Sequence, residues 1–416
     1  MMMALDHAVI LGWLRETDAA RLEELFAAAD ATRQTYVGSA VHLRGLVEIS
    51  NHCCRLCHYC GLRAANRELT RYRMSREEIL ACASLAVKLG YGTLVVQAGE
   101  DPGITREFLA EVVRAIKAQT PLAVTLSMGE RSGGDLAAWK HAGADRYLLR
   151  FETSDLALFN TIHPSLPGKR IGLSETRPSE SVFIADNAQR SLTVAARMES
   201  DRLAILRELR TLGYEIGSGI MVGIPGQTLD SIAHDILLFR ELDLDMIGIG
   251  PFIPHPDTPL GANVLDHPSR DRKGAIGVIS ASPHMSLPDG RGSDTCAQPT
   301  ELMVYKAVAL TRLVCPGANI PSTSALATIN QNNGRELGLA RGANVIMPNL
   351  TPQPYRSLYQ IYPNKACITE EAVVFAEGLR RRILAMDRTI GIGPGRRKRD
   401  EAAMTVSHDS SGVRHV

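Results

Sequence analysis

Three cysteines in the first part of the chain have the spacing of ligands for an iron-sulfur cluster. Cys53, Cys57 and Cys60 lie in one short segment that directly follows an apolar run at 41–49. A four-iron cluster normally takes four thiolates, so a loop that supplies three leaves one iron without a protein ligand. Because an open iron can bind another molecule, the spacing predicts a 4Fe-4S cluster at which chemistry takes place.

The same segment allows another interpretation. Cys54 forms a Cys-x-x-Cys pair with Cys57, a pattern found in zinc sites and redox disulfides. Tetrahedral zinc sites more often combine two such pairs or add histidines at characteristic spacing, and no second pair occurs elsewhere in the chain. The iron-sulfur interpretation is therefore favoured, and zinc binding or a redox disulfide remains the alternative.

The composition is that of an ordinary globular protein. Of 416 residues, 45% are hydrophobic and 22% are charged, and the formal net charge of +1 gives no electrostatic reason to expect nucleic acid. No apolar run reaches the roughly eighteen residues of a membrane span, so no membrane association is predicted. Eight cysteines, several of them crowded into one loop, suit metal binding in a reducing compartment. We expect a cytoplasmic protein.

Most of the chain alternates short apolar strands with amphipathic helices, which is the pattern of βα units. Ser75 with Glu78 forms a predicted capping box, and Thr105 precedes another helix in the same way. The predicted strands are 41–49, 93–97, 122–127, 146–152, 216–222, 246–251, 319–323 and 344–347. Eight such units favour an α/β fold, a closed (β/α)8 barrel of the TIM type, over an open sheet.

Three regions are predicted along the chain. An N-terminal helical extension occupies 1–40, the barrel occupies 41–380, and 381–416 holds a helix end and a flexible basic and polar tail. Two stretches, about 172–199 and about 274–300, lack an apolar period and are rich in Ser, Pro, Arg and Asp. We expect both to be surface insertions in the barrel.

Polar residues near the end of the fourth predicted strand face the barrel interior. Catalytic groups of such barrels gather at the carboxyl ends of the strands, where the cysteine loop also lies. Arg150 and Glu152 alternate with Leu149 and Phe151, so the two charged side chains point to the same side. Charges in a barrel interior are costly unless they pair or bind a ligand. A ligand site is therefore predicted, with a lone buried ion pair as the alternative.

Further segments match the motifs of one known family. They include Gln-Ala-Gly-Glu-Asp at 97–101, Asp-Arg-Tyr-Leu-Leu-Arg at 145–150 and Met-Val-Gly-Ile-Pro-Gly-Gln-Thr at 221–228. Others lie at 50–53, 59–63, 71–74, 125–130, 248–256 and 347–349. Together with the cysteine spacing, they resemble the HydE maturases of the radical S-adenosylmethionine superfamily. Biotin synthase and methylornithine synthase share that architecture.

The resemblance implies that S-adenosylmethionine chelates the open iron and that the glycine edge at the end of the second strand receives its methionine amino group. The residues it implies in cofactor binding are Gln97, Gly99, Glu100, Ser127, Glu152, Arg202, Met221, Pro251, Ile253 and Tyr359. Those implied on the substrate side are Ser127, Thr323, Ser324 and Met347, with Arg150 and Tyr362 at the reaction centre. For Arg202, a surface salt bridge is the alternative.

Two departures from the family are visible. Some HydE proteins carry three more cysteines near the C-terminus for a second cluster, whereas this chain has Cys367 without companions in 369–379. One thiolate cannot hold a cluster, so no second cluster is predicted. Phe151 also stands where the family commonly has histidine.

The leading hypothesis is a radical enzyme that splits S-adenosylmethionine to a 5′-deoxyadenosyl radical. The resemblance implies an iron-carbonyl-cyanide substrate from a partner maturase, and an electron donor such as ferredoxin or flavodoxin. A methylornithine synthase-like or biotin synthase-like enzyme acting on an amino acid or other small molecule is the alternative within this chemistry. An iron-sulfur scaffold or electron carrier and a zinc hydrolase are the other classes. A scaffold or electron carrier is disfavoured because the eight βα units build a pocket that it would not need. A zinc hydrolase is disfavoured because the chain lacks a His-x-x-x-His pair or an equivalent set of ligands.

Overall fold

The computed structural model describes residues 5–164, 201–266, 301–366, 368 and 370–397. Both predicted insertions, Cys296 and Cys367 therefore lie outside the described residues. Within the described ranges, no helix combines the length and the apolar character needed to cross a membrane.

Parallel strands form the wall of a barrel. They are β1 Ala40–Ser50, β2 Thr93–Ala98, β3 Ala123–Ser127, β4 Arg146–Leu148, β5 Glu215–Val222, β6 Met246–Pro251, β7 Val345–Ile346 and β8 Thr389–Ile390. The order along the sheet is β6-β5-β4-β3-β2-β1-β7, and β8 pairs with β1. Single-residue bridges from Asn319 to Met246 and from Pro321 to Val345 join its two ends. The sheet therefore closes on itself, as a TIM-type barrel requires.

Helices surround this wall. They are α1 His7–Arg15, α2 Ala19–Val37, α3 Arg76–Lys88, α4 Arg106–Gln119, α5 Gly133–His141, α6 Leu156–Ile162, α7 Asp201–Thr211, α8 Leu229–Glu241, α9 Pro259–Asp266, α10 Glu301–Val314, α11 Ser324–Ile329, α12 Gly334–Ala340, α13 Gln353–Arg356 and α14 Ala372–Leu384. The predicted capping box of Ser75 and Glu78 is present at α3, and Thr105 caps α4. The N-terminal helices α1 and α2 pack on α8 and α10.

Two predicted strand assignments were wrong in detail, and one strand was not predicted. The fourth strand ends at Leu148 and returns to the sheet only as a bridge at Glu152, because Glu152 has a φ of 65° and cannot continue a regular ladder. The seventh predicted strand, 319–323, is reduced to bridges, because Thr323 already caps the next helix. The short strand β8 was not predicted.

The beginning of the basic tail is not frayed, contrary to the prediction. From Gly393 onward the chain crosses the end of the barrel that lies opposite to the cysteine loop. The Gly395 carbonyl accepts a hydrogen bond from Arg44 Nη2 at 3.0 Å, and the Pro394 carbonyl accepts one from Arg146 Nη2 at 3.0 Å. Buried guanidinium groups require acceptors, and these carbonyls supply them.

Candidate iron-sulfur and cofactor site

The predicted cluster ligands are mutual neighbours in the loop after β1. Burial raises the pKa of the Cys57 thiol, and the sulfurs of Cys60 and Cys53 raise it further. The pKa of Cys60 is raised in the same way, by burial and then by Cys53. Cys54 is turned toward Glu100 instead, with Sγ 3.9 Å from Oε1. Of the four thiols in the loop, Cys53, Cys57 and Cys60 thus form the group that the spacing predicted.

This donor set fits a cubane. Among the residues that the structure describes, no three His, Cys, Asp or Glu side chains are arranged around a single metal position. A cubane does not require such convergence, because each cysteine binds a different iron atom. Three half-buried thiols in one loop are the number and type of ligand that a four-iron cluster takes from the protein when one iron stays open.

One arginine holds the loop in shape through its backbone. Arg71 Nη1 donates to the carbonyls of Asn51 and Leu62 at 2.5 and 2.8 Å. Its Nη2 donates to the carbonyls of Arg63 and Asn66 at 2.8 and 3.0 Å. A single planar fork thereby satisfies carbonyls on both sides of the cysteines, which fixes where the loop begins and ends.

Gly99 at the end of β2 lets the backbone approach the loop closely. Its N–H donates to the carbonyl of Ser50 at 3.0 Å. A Cβ at this position would lie 2.2 Å from the carbonyl oxygen of His52 and 3.1 Å from the Cβ of Cys53. Backbone atoms cannot yield as a side chain can, so glycine is required for this contact.

Gly99→Ala should therefore displace the cysteine loop. We expect iron retention to fall and affinity for S-adenosylmethionine to weaken by roughly tenfold, or about 1.4 kcal/mol. Gly12→Ala in α1 is the matched control, because a Cβ there meets nothing within 4 Å. Iron content and cofactor affinity should be measured on anaerobically reconstituted protein, and unchanged values in Gly99→Ala would show that the loop does not depend on this approach.

A chain of charged side chains connects the cysteine loop to β4. Arg55 Nε lies 2.6 Å from Glu100 Oε1, and Arg55 also pairs with Glu130. Arg202 Nε lies 2.9 Å from Glu130 Oε1, and Arg202 Nη1 donates to the carbonyl of Arg150 at 2.7 Å. Burial opposes ionisation of Glu130, but Arg202 and Arg55 hold its pKa below the ordinary value. Arg202 is 9% exposed, so it is not the surface residue of the alternative interpretation.

Arg150 and Glu152 lie together beside this chain of charges, with Nη2 and Oε2 3.1 Å apart. Their ion pair lacks hydrogen-bond alignment, because Arg150 Nη2 donates to the carbonyl of Ile220. In the described part of the chain, Arg150 Nε and Glu152 Oε2 have no hydrogen-bond partner. The left-handed backbone of Glu152, with φ 65°, costs about 1–3 kcal/mol for a non-glycine residue. A strained, buried carboxylate with an unsatisfied oxygen is suited to bind a ligand.

Asp235 on α8 supports the turn that follows Glu152. Its Oδ1 accepts the N–H of Ser154 at 2.8 Å. The carboxyl group is 0% exposed, and burial raises its pKa to about 7. No short-range pattern marks this residue, because Ser154 is 81 residues away in the sequence.

The raised pKa predicts that stability falls as pH rises from about 4 to about 7. In this window the folded chain keeps the Asp235 proton and the unfolded chain has lost it, so the free energy of unfolding decreases with pH, by up to about 4 kcal/mol. Asp235→Asn should reduce this dependence of the free energy of unfolding on pH, as measured by urea unfolding from pH 4 to 8. Asp230→Asn, on the exposed face of the same helix, is the control. Equal slopes in wild type and Asp235→Asn would contradict the raised pKa.

An aromatic stack beside the cysteines was missed by the sequence analysis. Tyr59 Oη lies 3.0 Å from His163 Nε2, and the His163 ring stacks on Phe159 with centroids 4.3 Å apart. The Arg202 guanidinium lies 5.1 Å above the Phe159 ring. Burial lowers the pKa of His163, so the imidazole is neutral. Its Nδ1 lies 3.3 Å from the Phe159 carbonyl and donates to it, which leaves Nε2 to accept from the tyrosine hydroxyl. Only Tyr59, in the cysteine motif, carried a signal in the sequence.

Gln97, Ser127 and Tyr359 lie on one side of the barrel interior. Gln97 and Ser127 are register partners on β2 and β3. Gln97 Nε2 donates to Tyr359 Oη at 3.2 Å, and Tyr359 is 2% exposed. The structure thus brings together three residues that the resemblance assigned to the cofactor.

The predicted substrate residues gather only in part. Thr323 caps α11, which begins at Ser324. Burial raises the pKa of Tyr362 to about 12, and its hydroxyl hydrogen-bonds with Thr328 and Ser324. Met347 directly follows β7 and is half-buried. The hydroxyl groups therefore form one cluster, and no described contact joins Met347 to it.

Three further residues predicted to bind the cofactor, Met221, Pro251 and Ile253, lie at the ends of β5 and β6. Met221 belongs to a small apolar cluster with Phe252, on which Tyr59 packs. Pro251 is buried and Ile253 is half-buried just beyond it. Met221 is thereby placed near the cysteine loop, while Pro251 and Ile253 form part of the rim.

Comparison with known proteins agrees with this geometry. The sequence profile of the Radical SAM superfamily matches residues 47–239. The chain is 41% identical over 377 residues to the FeFe hydrogenase maturase subunit HydE of Thermotoga maritima, which covers 91% of this chain and 89% of that protein. It is 27% identical over 298 residues to biotin synthase of Thermus thermophilus, with 69% and 80% covered.

Solved structures confirm the predicted fold. Methylornithine synthase aligns with a TM-score of 0.67 and 22% identity over 97% of both chains. The FeFe-hydrogenase maturase HydG from Carboxydothermus hydrogenoformans aligns with a TM-score of 0.66 and 16% identity, over 93% of this chain and 76% of that one. At these identities the likeness concerns the barrel architecture alone.

Proposed function

This chain belongs to the HydE family of radical S-adenosylmethionine enzymes, and from that premise we propose that it acts in the maturation of FeFe hydrogenase. Enzymes of this superfamily use a 4Fe-4S cluster and S-adenosylmethionine. The observation that carries the proposal is the group of three neighbouring thiols beside the unsatisfied carboxylate of Glu152 and the buried cation Arg202. An electron carrier would need no such cofactor-binding side chains beside its cluster.

Cys53, Cys57 and Cys60 hold the cluster in this proposal. When bound, it supplies the electron that splits S-adenosylmethionine into methionine and a 5′-deoxyadenosyl radical. We propose one cluster for the chain, because Cys367 has no cysteine companions in the sequence that follows it.

The cofactor is bound by residues that the structure groups around the loop. Gly99 presents backbone to the methionine amino group, and Glu100 is held beside it by Arg55. The Arg202 guanidinium binds the carboxylate of S-adenosylmethionine in this proposal. Glu152 Oε2, which has no hydrogen-bond partner among the described residues, accepts hydrogen bonds from the ribose of the cofactor. Gln97, Ser127, Tyr359, Met221, Pro251 and Ile253 complete the walls. Tyr359, Met221 and Pro251 are buried, and such a wall limits the access of water to a reactive radical.

The substrate side is formed by Arg150, Thr323, Ser324, Met347 and Tyr362 in this proposal. Arg150 Nε has no hydrogen-bond partner among the described residues, so it can donate to an electron-rich ligand. An iron complex delivered by another hydrogenase maturase is the substrate class that the family suggests. An amino acid or other small molecule, as in methylornithine synthase or biotin synthase, is the second candidate. A ferredoxin or flavodoxin is the proposed electron donor.

Anaerobic reconstitution followed by electron paramagnetic resonance tests the proposal. The reduced protein should show a 4Fe-4S signal that changes when S-adenosylmethionine is added, and 5′-deoxyadenosine should form. A signal that does not respond to the cofactor would leave an electron carrier or scaffold, and a zinc-loaded protein without iron would support a hydrolase. Complementation of a hydrogenase-producing strain that lacks its own maturase of this family separates the two substrate classes.

A further inference from the structure

A buried ion pair inside the barrel has not been given a role in the site described above. Lys365 Nζ pairs with Glu48 Oε1, and the two side chains are only 4% and 1% exposed. The other carboxylate oxygen of Glu48 accepts from Asn349 Nδ2 at 3.0 Å. Both carboxylate oxygens and the ammonium group therefore have partners, which is the condition under which a buried pair is tolerated.

Glu48 belongs to the same layer of the barrel as two residues of the proposed cofactor site. It is the register partner of Gln97 on β2, and Gln97 is the register partner of Ser127 on β3. Register partners on parallel strands point to the same face of the sheet. Glu48, Gln97 and Ser127 thus form one row that faces the interior.

Lys365 connects this row to the segment that carries Tyr359 and Tyr362. Its Nζ lies 3.5 Å from the carbonyl oxygen of Tyr359 and 4.8 Å from the centroid of that ring. The hydroxyl of Tyr359 in turn accepts from Gln97, so the ring is held at both ends. The next residue, Ala366, donates its N–H to Thr328 Oγ1 at 3.1 Å, the same hydroxyl that meets Tyr362.

Stability alone does not account for such a pair. Replacing a buried ion pair by apolar residues of similar volume is often neutral or stabilising, whereas removing one partner is strongly destabilising. An apolar pair would fill the same space, but it would not direct the Tyr359 carbonyl and ring as an ammonium group does. The orientation of Tyr359 is therefore what the charged pair adds.

We propose that Glu48 and Lys365 are positioning residues that fix Tyr359 against Gln97 in the proposed cofactor site, and Tyr362 against Ser324 on the proposed substrate side. This inference rests on the proposed function, because it assigns the pair to the binding of S-adenosylmethionine. The pair acts through the tyrosines and does not itself contact the cofactor.

The test compares Glu48→Gln, Lys365→Met and the double variant Glu48→Leu/Lys365→Met on reconstituted protein. Arg106→Met, which breaks an ion pair on the outer surface with Nε and Oδ1 2.7 Å apart, is the control. Thermal midpoint and affinity for S-adenosylmethionine are measured for each. We expect each single variant to have a lower thermal midpoint and an affinity for S-adenosylmethionine about tenfold weaker than wild type. The double variant should recover the wild-type midpoint to within about 2 °C, while its affinity stays about tenfold weaker.

A background substitution shows whether the pair acts through Tyr359. In Tyr359→Ala, the further change Lys365→Met should weaken the affinity little more, because residues that act through one another are non-additive. Recovery of both midpoint and affinity in the double variant, or full additivity in the Tyr359→Ala background, would overturn the inference. If the wild-type protein itself fails to bind S-adenosylmethionine, the proposed function is wrong. If the wild type binds and only the variants bind weakly, the proposed function stands and the result concerns the ion pair alone.

Discussion

Replacing Cys57 with alanine should abolish cluster binding and cleavage of S-adenosylmethionine. The two remaining thiolates cannot hold a cubane, so the iron content should fall from about four atoms per chain to near zero. In the structure Cys57 is the neighbour of both Cys53 and Cys60, whereas Cys54 is turned toward Glu100. Iron analysis and the electron paramagnetic resonance spectrum after anaerobic reconstitution provide the measurement.

Cys54→Ala is the matched control, because it removes a thiol from the same loop without touching the group of three. We expect it to retain iron and the cleavage activity. The Cys54 sulfur lies 3.9 Å from Glu100 Oε1 and is directed away from the group of three. Loss of iron in Cys54→Ala with retention in Cys57→Ala would show that the ligand assignment is wrong.

Glu152→Gln should weaken the binding of S-adenosylmethionine by roughly 10- to 100-fold, as expected when about 1.5–3 kcal/mol of hydrogen bonding to a charged group is lost. The carboxylate, whose Oε2 has no hydrogen-bond partner within the described residues, becomes an amide of different polarity. The ion pair with Arg150 is lost at the same time. Cofactor affinity and methionine release on reconstituted protein measure the effect.

Arg150→Lys is the matched comparison, because it retains the charge and removes the planar fork. Arg150 uses Nη2 for Glu152 and the Ile220 carbonyl and leaves Nε free among the described residues. An ammonium group cannot reproduce these directions. We expect cofactor affinity within about threefold of wild type, and turnover of the true substrate at least about tenfold lower. Loss of cofactor binding in Arg150→Lys with retention in Glu152→Gln would exchange the two roles.

The sequence was sufficient for features encoded over short distances. The spacing of Cys53, Cys57 and Cys60 predicted the group of neighbouring thiols, because residues in one loop cannot be far apart. The strand and helix periodicities predicted the barrel, and Ser75 with Glu78 predicted a capping box that the structure contains. Arg150 and Glu152 lie together as predicted, but not through strand alternation, because β4 ends at Leu148 and Glu152 has a left-handed backbone. The domain boundaries and the individual cofactor roles stay predictions.

Only the tertiary structure decided which distant residues complete the site. His163 meets Tyr59 across 104 residues, and Lys365 meets Glu48 across 317. The strand β8 is two residues long, too short for a period to be read, and it forms because β1 offers it an edge. Spacing along the chain carries no information about such contacts. They arise because buried polar groups must find partners wherever the closed barrel brings them together.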